Sequence, residues 1–305
     1  MPLLCDGIGE PSKFRNLMEN HMNMNVSAAR FDTGRGLTED ELHKLAPSVF
    51  AVEAHSSRSE RFAPIPTIEI LRNLGKEGFQ VVGAKQSVAR MDDRRLFTKH
   101  LLRLRRMDNQ EQYRVGDTVC EMLLKNANDG SSAYDLLAGL FRIKCLNGMV
   151  AQTGTIDTVK VRHSGDVMGK VIEGTYRVLD EAQKALVAPA EWSRQQLVKE
   201  ERDAFAASAH VLRFADADGD VTTPVKPDQL LIPRRHDDFA WDLWTTFNTI
   251  QENTIKGGLT AVGLDANGRR RRTTTREVKG IDQDVRLNKA LWVIAERMAQ
   301  IKTAA

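Results

Sequence analysis

Cysteine is scarce in this 305-residue chain: Cys5, Cys120 and Cys145 are odd in number, far apart and form no CxxC pair. That spacing excludes a disulfide framework and a cysteine-ligated zinc site, and it fits a reducing cytoplasm. No apolar run approaches the ~18 residues that a membrane span needs, so no membrane partner is expected. The first residues, MPLLCDGIGEPSKF, place no basic stretch ahead of an apolar block, and no secretory signal is expected. Catalytic signatures are missing as well: there is no HExxH, no GxSxG and no glycine-rich phosphate loop followed by Lys-Ser or Lys-Thr. The seven histidines stand singly, with His100 and His163 the most suggestive by position. ADADGDV at 215–221 begins like a calcium loop, but Val221 and Pro227 occupy the places of its glycine and its glutamate. Asp92-Asp93 and Asp237-Asp238 are acid pairs in sequence only. The expectation is a protein with no catalytic residue, no metal and no cofactor.

Charge is what remains. Lys and Arg number 44 against 41 Asp and Glu, a net of +3, but the cations are clustered. Residues 94–106, RRLFTKHLLRLRR, hold six Lys/Arg and no acid, and residues 269–279, RRRRTTTREVK, hold six with one Glu. The rest of the chain is therefore net acidic. Local fields of this kind steer anionic partners in a way that the average charge does not.

Periodicity places both basic stretches on β-structure. Residues 79–88, 96–105 and 118–124 alternate as three strands, with ARMDDRR as a turn. In the middle strand Phe97, Lys99, Leu101, Arg103 and Arg105 share one face, which predicts a sheet with a wet, basic side. Asn267-Gly268 is a hairpin signal within 259–278, and it puts Arg269, Arg270, Arg271 and Arg272 alternately on both faces of a ribbon. Helices are expected over TEDELHKLA with Thr38 as N-cap, from Thr67 to Gly75 or Gly78, over 166–187 and 189–214, over 239–255 and over 284–301. After NANDGSS, Leu136, Leu137, Leu140, Phe141 and Ile143 form a stripe that predicts another helix. Trp192, Trp241, Trp244 and Trp292 all read as core residues. The class expected is α+β: an antiparallel β-meander with packed helices, long helices in the middle and a C-terminal helix–hairpin–helix segment. Residues 1–50 read as an irregular arm, and 51–305 as one α+β domain with a flexible linker near 215–233.

SERFAPIPTIEILRNLGKEGFQVV, NANDGSSAYDLLAGLFRIKCLNGMV, TFNTIQENTIKGGL and RLNKALWVIAERMA resemble the phage/plasmid-like family numbered 932 among domains of unknown function. The resemblance runs from about residue 50 to 300 and implies a home on mobile elements, without a mechanism or a catalytic residue. A basic meander with a separate basic hairpin is also loosely similar in topology to single-strand annealing proteins. Two main readings stand at this point, beside a third of an enzyme whose site is assembled from residues too dispersed to recognise. In the first, the protein is a non-enzymatic, sequence-tolerant binder of DNA, single-stranded by preference and homo-oligomeric. Arg94, Arg95, Lys99, Arg103, Arg105 and Arg106 would then meet phosphates from the sheet, and Arg269, Arg270, Arg271, Arg272 and Arg276 from the hairpin. In the second, the arginines meet an acidic protein, as in an inhibitor of a host defence system.

Overall fold

Six strands build the main sheet. β1 (Phe79–Gln86), β2 (His100–Arg106), β3 (Thr118–Ala127) and β4 (Ser132–Arg142) form an antiparallel meander, and β5 (Gly148–Met149) and β6 (Val159–Val161) both pair with β4. The computed structural model describes residues 35–53, 66–88, 92–107, 118–129, 131–142, 148–149, 159–162, 166–264 and 268–304, without the side chains of 92–94, 142, 148–149 and 181–184. Among them lie seven α-helices: α1 (Glu39–Leu45), α2 (Thr67–Lys76), α3 (Val167–Ala185), α4 (Ala188–Trp192), α5 (Lys199–Phe214), α6 (Leu243–Lys256) and α7 (Ile281–Ala304). A two-stranded ribbon, β7 (Thr260–Leu264) with β8 (Arg270–Thr274), separates α6 from α7. The chain is α+β with an antiparallel meander.

Local signals explain most boundaries. Thr38 and Glu41 form the reciprocal cap of α1, with Glu41 N donating to Thr38 Oγ1 at 3.3 Å and Thr38 N donating to Glu41 Oε2 at 3.0 Å. Asp242 caps α6 by accepting from Thr245 N at 2.8 Å. Thr67, fully buried, is the first helical residue of α2, and Pro66 occupies the cap position.

The two faces of the sheet have different neighbours. His100, Leu102 and Leu104 of β2 join Met122, Leu124, Tyr134 and Leu136 beneath α1, α2 and α3. On the other face Val119, Leu123, Leu137 and Phe141 pack against Val285 of α7. A third cluster joins the helices around Trp192, whose ring centroid lies 4.6 Å from that of Trp292 and 5.8 Å from that of Phe247. Ring pairs at these separations add to the burial of their large apolar areas. Leu291, Trp292 and Ala295 seat α7 in the same cluster as Trp244 and Phe247 of α6. Residues 215–233 contribute Val225 and Leu230 to it.

Several elements differ from the sequence expectation. The stretch predicted as a helix after NANDGSS is β4, an eleven-residue strand in the sheet interior. Leu136 and Leu140 are buried on one face, and Leu137 and Phe141 on the other. A strand covered on both sides carries a nearly continuous apolar run, which periodicity alone does not separate from a buried helix. The predicted helix over 189–214 is two helices, because the chain between α4 and α5 straightens so that Gln196 bridges Asp242. Residues Asp92–Phe97 wind as a 3₁₀ turn, so the middle strand begins only at His100. Trp241 is not a core residue: it lies ahead of α6 and is 48% exposed.

Candidate nucleic-acid interface

Alternation does put Arg103 and Arg105 on the face of β2 opposite its buried leucines, with Lys99 immediately ahead of the strand, but that face is not wet. Glu121 of β3, wholly buried, accepts from Arg103 Nε at 2.6 Å and from Arg105 Nε at 3.1 Å and Nη2 at 2.5 Å. The Arg103 guanidinium also lies 3.7 Å from the centroid of the Phe141 ring. These two arginines offset the desolvation of a buried carboxylate, and the carboxylate offsets theirs. The side chains of Arg103 and Arg105 are 12% and 3% exposed, so the assignment of both to phosphate contact is corrected: they are internal ions.

The first turn of α7 covers the rest of that face. Asp282 accepts from Lys99 Nζ at 2.5 Å and from Lys125 Nζ at 3.0 Å, while Asp284 meets Lys85 Nζ at 3.2 Å. Lys125 also meets Asp135 at 2.8 Å. Burial disfavours the charged form of Lys125, yet the hydrogen bonds and charges of Asp135 and Asp282 outweigh it and raise its pKa. Burial likewise works against the Asp282 carboxylate, and Lys99 and Lys125 overcome it, so its pKa is lowered. At Asp284 burial wins over Lys85 and the pKa is raised. Lys99, with 18% of its side chain exposed, is thus a clasp for α7 and not an open cation. The sheet is not the wet basic surface that alternation implied.

Other members of the predicted set lie at the margins. Arg95 is exposed on the 3₁₀ turn, and Arg106 is exposed with its guanidinium 6.0 Å from the Tyr176 ring. The side chain of Arg94 lies outside the described residues.

The ribbon is different. β7 and β8 pair in the register Val262↔Arg272, Gly263↔Arg271 and Leu264↔Arg270, so opposite side chains share a face. Leu259 is buried in the helical cluster and Ala261 packs against it, which turns one face toward the body. Gly263 lies on that face. A side chain there would meet Pro224 Cβ at 2.9 Å, and the missing Cβ is what lets the ribbon lie this close. The outer face therefore carries Val262, Leu264, Arg270 and Arg272, and Arg271 is also exposed, on the opposite face at the rim. Val262 and Leu264 are 57% and 73% exposed. Among the described residues no carboxylate pairs with Arg270, Arg271 or Arg272. Arg269 and Arg276 are exposed as well.

The ribbon's base is firmly built. Gly258 N donates to Thr275 O and Thr275 N to Leu259 O, both at 2.8 Å. Arg213 of α5 donates to the carbonyls of Thr254 at 3.1 Å and Arg276 at 3.0 Å, and Arg234 donates to Asn253 Oδ1 at 2.6 Å and to the Gly257 carbonyl. These two further arginines at the base were not selected from the sequence, because nothing local marks them. Arg213 lies 41 and 63 residues from its partners, and Arg234, next to Arg235, lies 19 and 23 from its own.

Other chemistry is enclosed. Ser48 Oγ lies 2.9 Å from His100 Nδ1, and His100 Nε2 lies 3.1 Å from Thr67 Oγ1. All three residues have no exposed surface, so the pair with its neighbours Asn126 and Asn128 is a core polar network. Among the described residues no group of three His, Cys, Asp or Glu is placed to hold a metal ion.

The domain of unknown function DUF932 matches residues 54–292. This chain belongs to the DUF932 family. Two relatives from Escherichia coli (strain K12), the UPF0380 proteins YfjQ and YafZ, are each 45% identical over 264 residues, covering 87% of this chain and 92% of theirs. No solved structure matches it. DUF932 membership accounts for the phrases around α2, β4, α6 and α7, and it names no reaction, ligand or partner.

Proposed function

We propose that this DUF932 protein is a non-enzymatic, sequence-tolerant nucleic-acid-binding protein that grips the phosphate backbone of a single strand with its arginine ribbon. The observation that carries the reading is the contrast between two basic stretches. On the sheet, Arg103 and Arg105 are neutralised from within by Glu121, and Lys99 by Asp282. The one on the ribbon stands in solvent, with Arg270, Arg271 and Arg272 unmatched by any described carboxylate. Guanidiniums held on a strand are fork donors at fixed spacing, suited to successive phosphates. Contacts of this kind go to the backbone and carry no sequence information, hence the tolerance. Assembly of several copies along a strand belongs to the same reading, as does a role in DNA handling on mobile elements.

Exposed Val262 and Leu264 beside the arginines favour a second reading, in which the ribbon meets an acidic protein surface. Salt separates the two. Each phosphate neutralised on a single strand contributes about −0.7 to the slope of log K against log salt. Changing Arg269, Arg270, Arg271 and Arg272 together to Ser should weaken binding of a labelled deoxyoligonucleotide and flatten that slope by up to about 0.7 for each lost contact. Melting should hardly move, because exposed substitutions shift stability by only about 0.5 kcal/mol each. Wild-type protein that ignores the oligonucleotide at about 50 mM salt sinks the nucleic-acid reading.

A further inference from the structure

Three of the four tryptophans are buried: Trp192, Trp244 and Trp292 are 4%, 8% and 1% exposed. Trp241 is the exception, and Phe239, two residues earlier, is exposed further still, at 64%. Exposed rings on a loose loop would mean little. This segment is fixed. The Trp241 carbonyl accepts from Leu197 N at 2.8 Å, and Leu243 N donates to Gln195 O at 2.9 Å. Asp242 between them is buried, bridges Gln196 and caps α6. On the other side Phe239 follows the 3₁₀ turn His236–Asp238, whose Asp238 is buried beside Arg235. The His236 ring packs edge-on to Phe239 at 6.1 Å. Two large rings are thus held outward on a rigid frame.

A cation completes the patch. The guanidinium of Arg202 on α5 lies 4.4 Å from the centre of the Trp241 ring. Its Nε is buried without a hydrogen-bond partner, and among the described residues no carboxylate pairs with it. The cation is held by the indole face instead. Half of the Trp241 side chain remains open to solvent, as does most of Phe239. Aromatic faces next to an unneutralised guanidinium suit a flat, electron-rich ring attached to a negative backbone.

We propose that Trp241 and Phe239, backed by Arg202, form a stacking platform for unpaired nucleobases. This rests on the reading that the arginine ribbon holds a nucleic-acid backbone, and it sharpens that reading. The ribbon strands, TAVGL and RRRTT, contain no aromatic residue. Charge alone holds duplex and single strand alike, whereas stacking on a protein ring requires a base free of its partner. The platform lies just ahead of α6 and the ribbon just after it, so the fourteen residues of that helix, ~21 Å long, separate the two. One strand running past both would be held by phosphates at one end and by bases at the other.

The test uses the full chain, a deoxythymidine oligomer of about 12 nucleotides (single-strand sites span roughly 4–16) and a duplex of equal length. Tryptophan emission should be quenched on addition of the single strand, since only Trp241 is open to a base. Trp241→Leu and Phe239→Leu should each weaken single-strand binding roughly tenfold while leaving duplex affinity unchanged. Trp241→Phe keeps a ring and should restore most of the affinity, which also answers the objection that the leucine variant is misfolded. Unchanged single-strand affinity in both leucine variants overturns the platform and leaves the ribbon reading standing. An equal loss for single strand and duplex overturns it too, because base stacking is then not what was removed. Wild-type protein that binds neither oligomer removes the ribbon reading and the platform together.

Discussion

Replacing Glu121 by Gln asks which arginines are structural. Glu121 has no exposed surface, and it is held by Arg103 Nε at 2.6 Å and by Arg105 Nη2 at 2.5 Å. The amide keeps the volume and one acceptor but removes the negative charge. Two guanidiniums, 12% and 3% exposed, would then lose the carboxylate they share. Removing one partner of a buried ion pair costs about 3–5 kcal/mol, mostly through the charge left behind. With about 2–4 °C per kcal/mol for a chain of this order of size, melting should fall by roughly 6–20 °C. Differential scanning calorimetry or urea unfolding followed by circular dichroism reads this directly. The companion variant, Arg103→Leu with Arg105→Met and Glu121→Leu, removes all three charges and should be about as stable as wild type, since well-packed apolar residues replace buried ion groups at little cost. A loss below about 1 kcal/mol for Glu121→Gln would refute the reasoning. Arg103 and Arg105 would then not be committed to Glu121, and the sheet would return as a surface for phosphates.

Two further expectations concern the core and the ribbon base. Burial holds the pKa of His100 down to about 3, against an ordinary value near 6.5. The folded state therefore keeps His100 neutral; its contribution is intact above about pH 6.5 and is lost as pH falls from there toward 3. At about pH 5 the loss is about 2 kcal/mol. Urea unfolding at both pH values should show that drop in wild type and its absence in His100→Gln; an equal drop in the two proteins would mean that other groups carry it. At Gly257, φ is +64° and an added Cβ would lie 2.6 Å from the Arg276 carbonyl. Gly257→Ala should cost at least about 1–3 kcal/mol in urea unfolding, through backbone strain and that clash; a variant as stable as wild type would show that the ribbon base is free to shift.

Much of the fold was legible in the residues, because its signals are local. Thr38 with Glu41 specifies a capping box whatever lies elsewhere, and the Gly and Asn punctuation around 257–268 specifies a ribbon. Alternation correctly put Arg103 and Arg105 on one face of a strand, with Lys99 immediately ahead of it. The identity of β4 was not legible, because a strand buried on both faces loses the alternation that would distinguish it. Nor was the fate of the basic strand. Whether a cation faces water depends on what packs above it, and Asp282 is 183 residues from Lys99 in the chain. Glu121 reads as an ordinary acid in TVCEMLL, and only the β2–β3 register brings it beside Arg105. Trp241 belongs to the same class, since its neighbours Leu and Trp at 243 and 244 turn inward while a bridge to Gln196 holds it out. Most of the elements, the charge separation and the family were legible in the residues alone. Tertiary structure alone decided which charges are spent inside the fold and which remain for a partner, because neutralisation is a matter of distance and burial between segments that the chain order keeps apart.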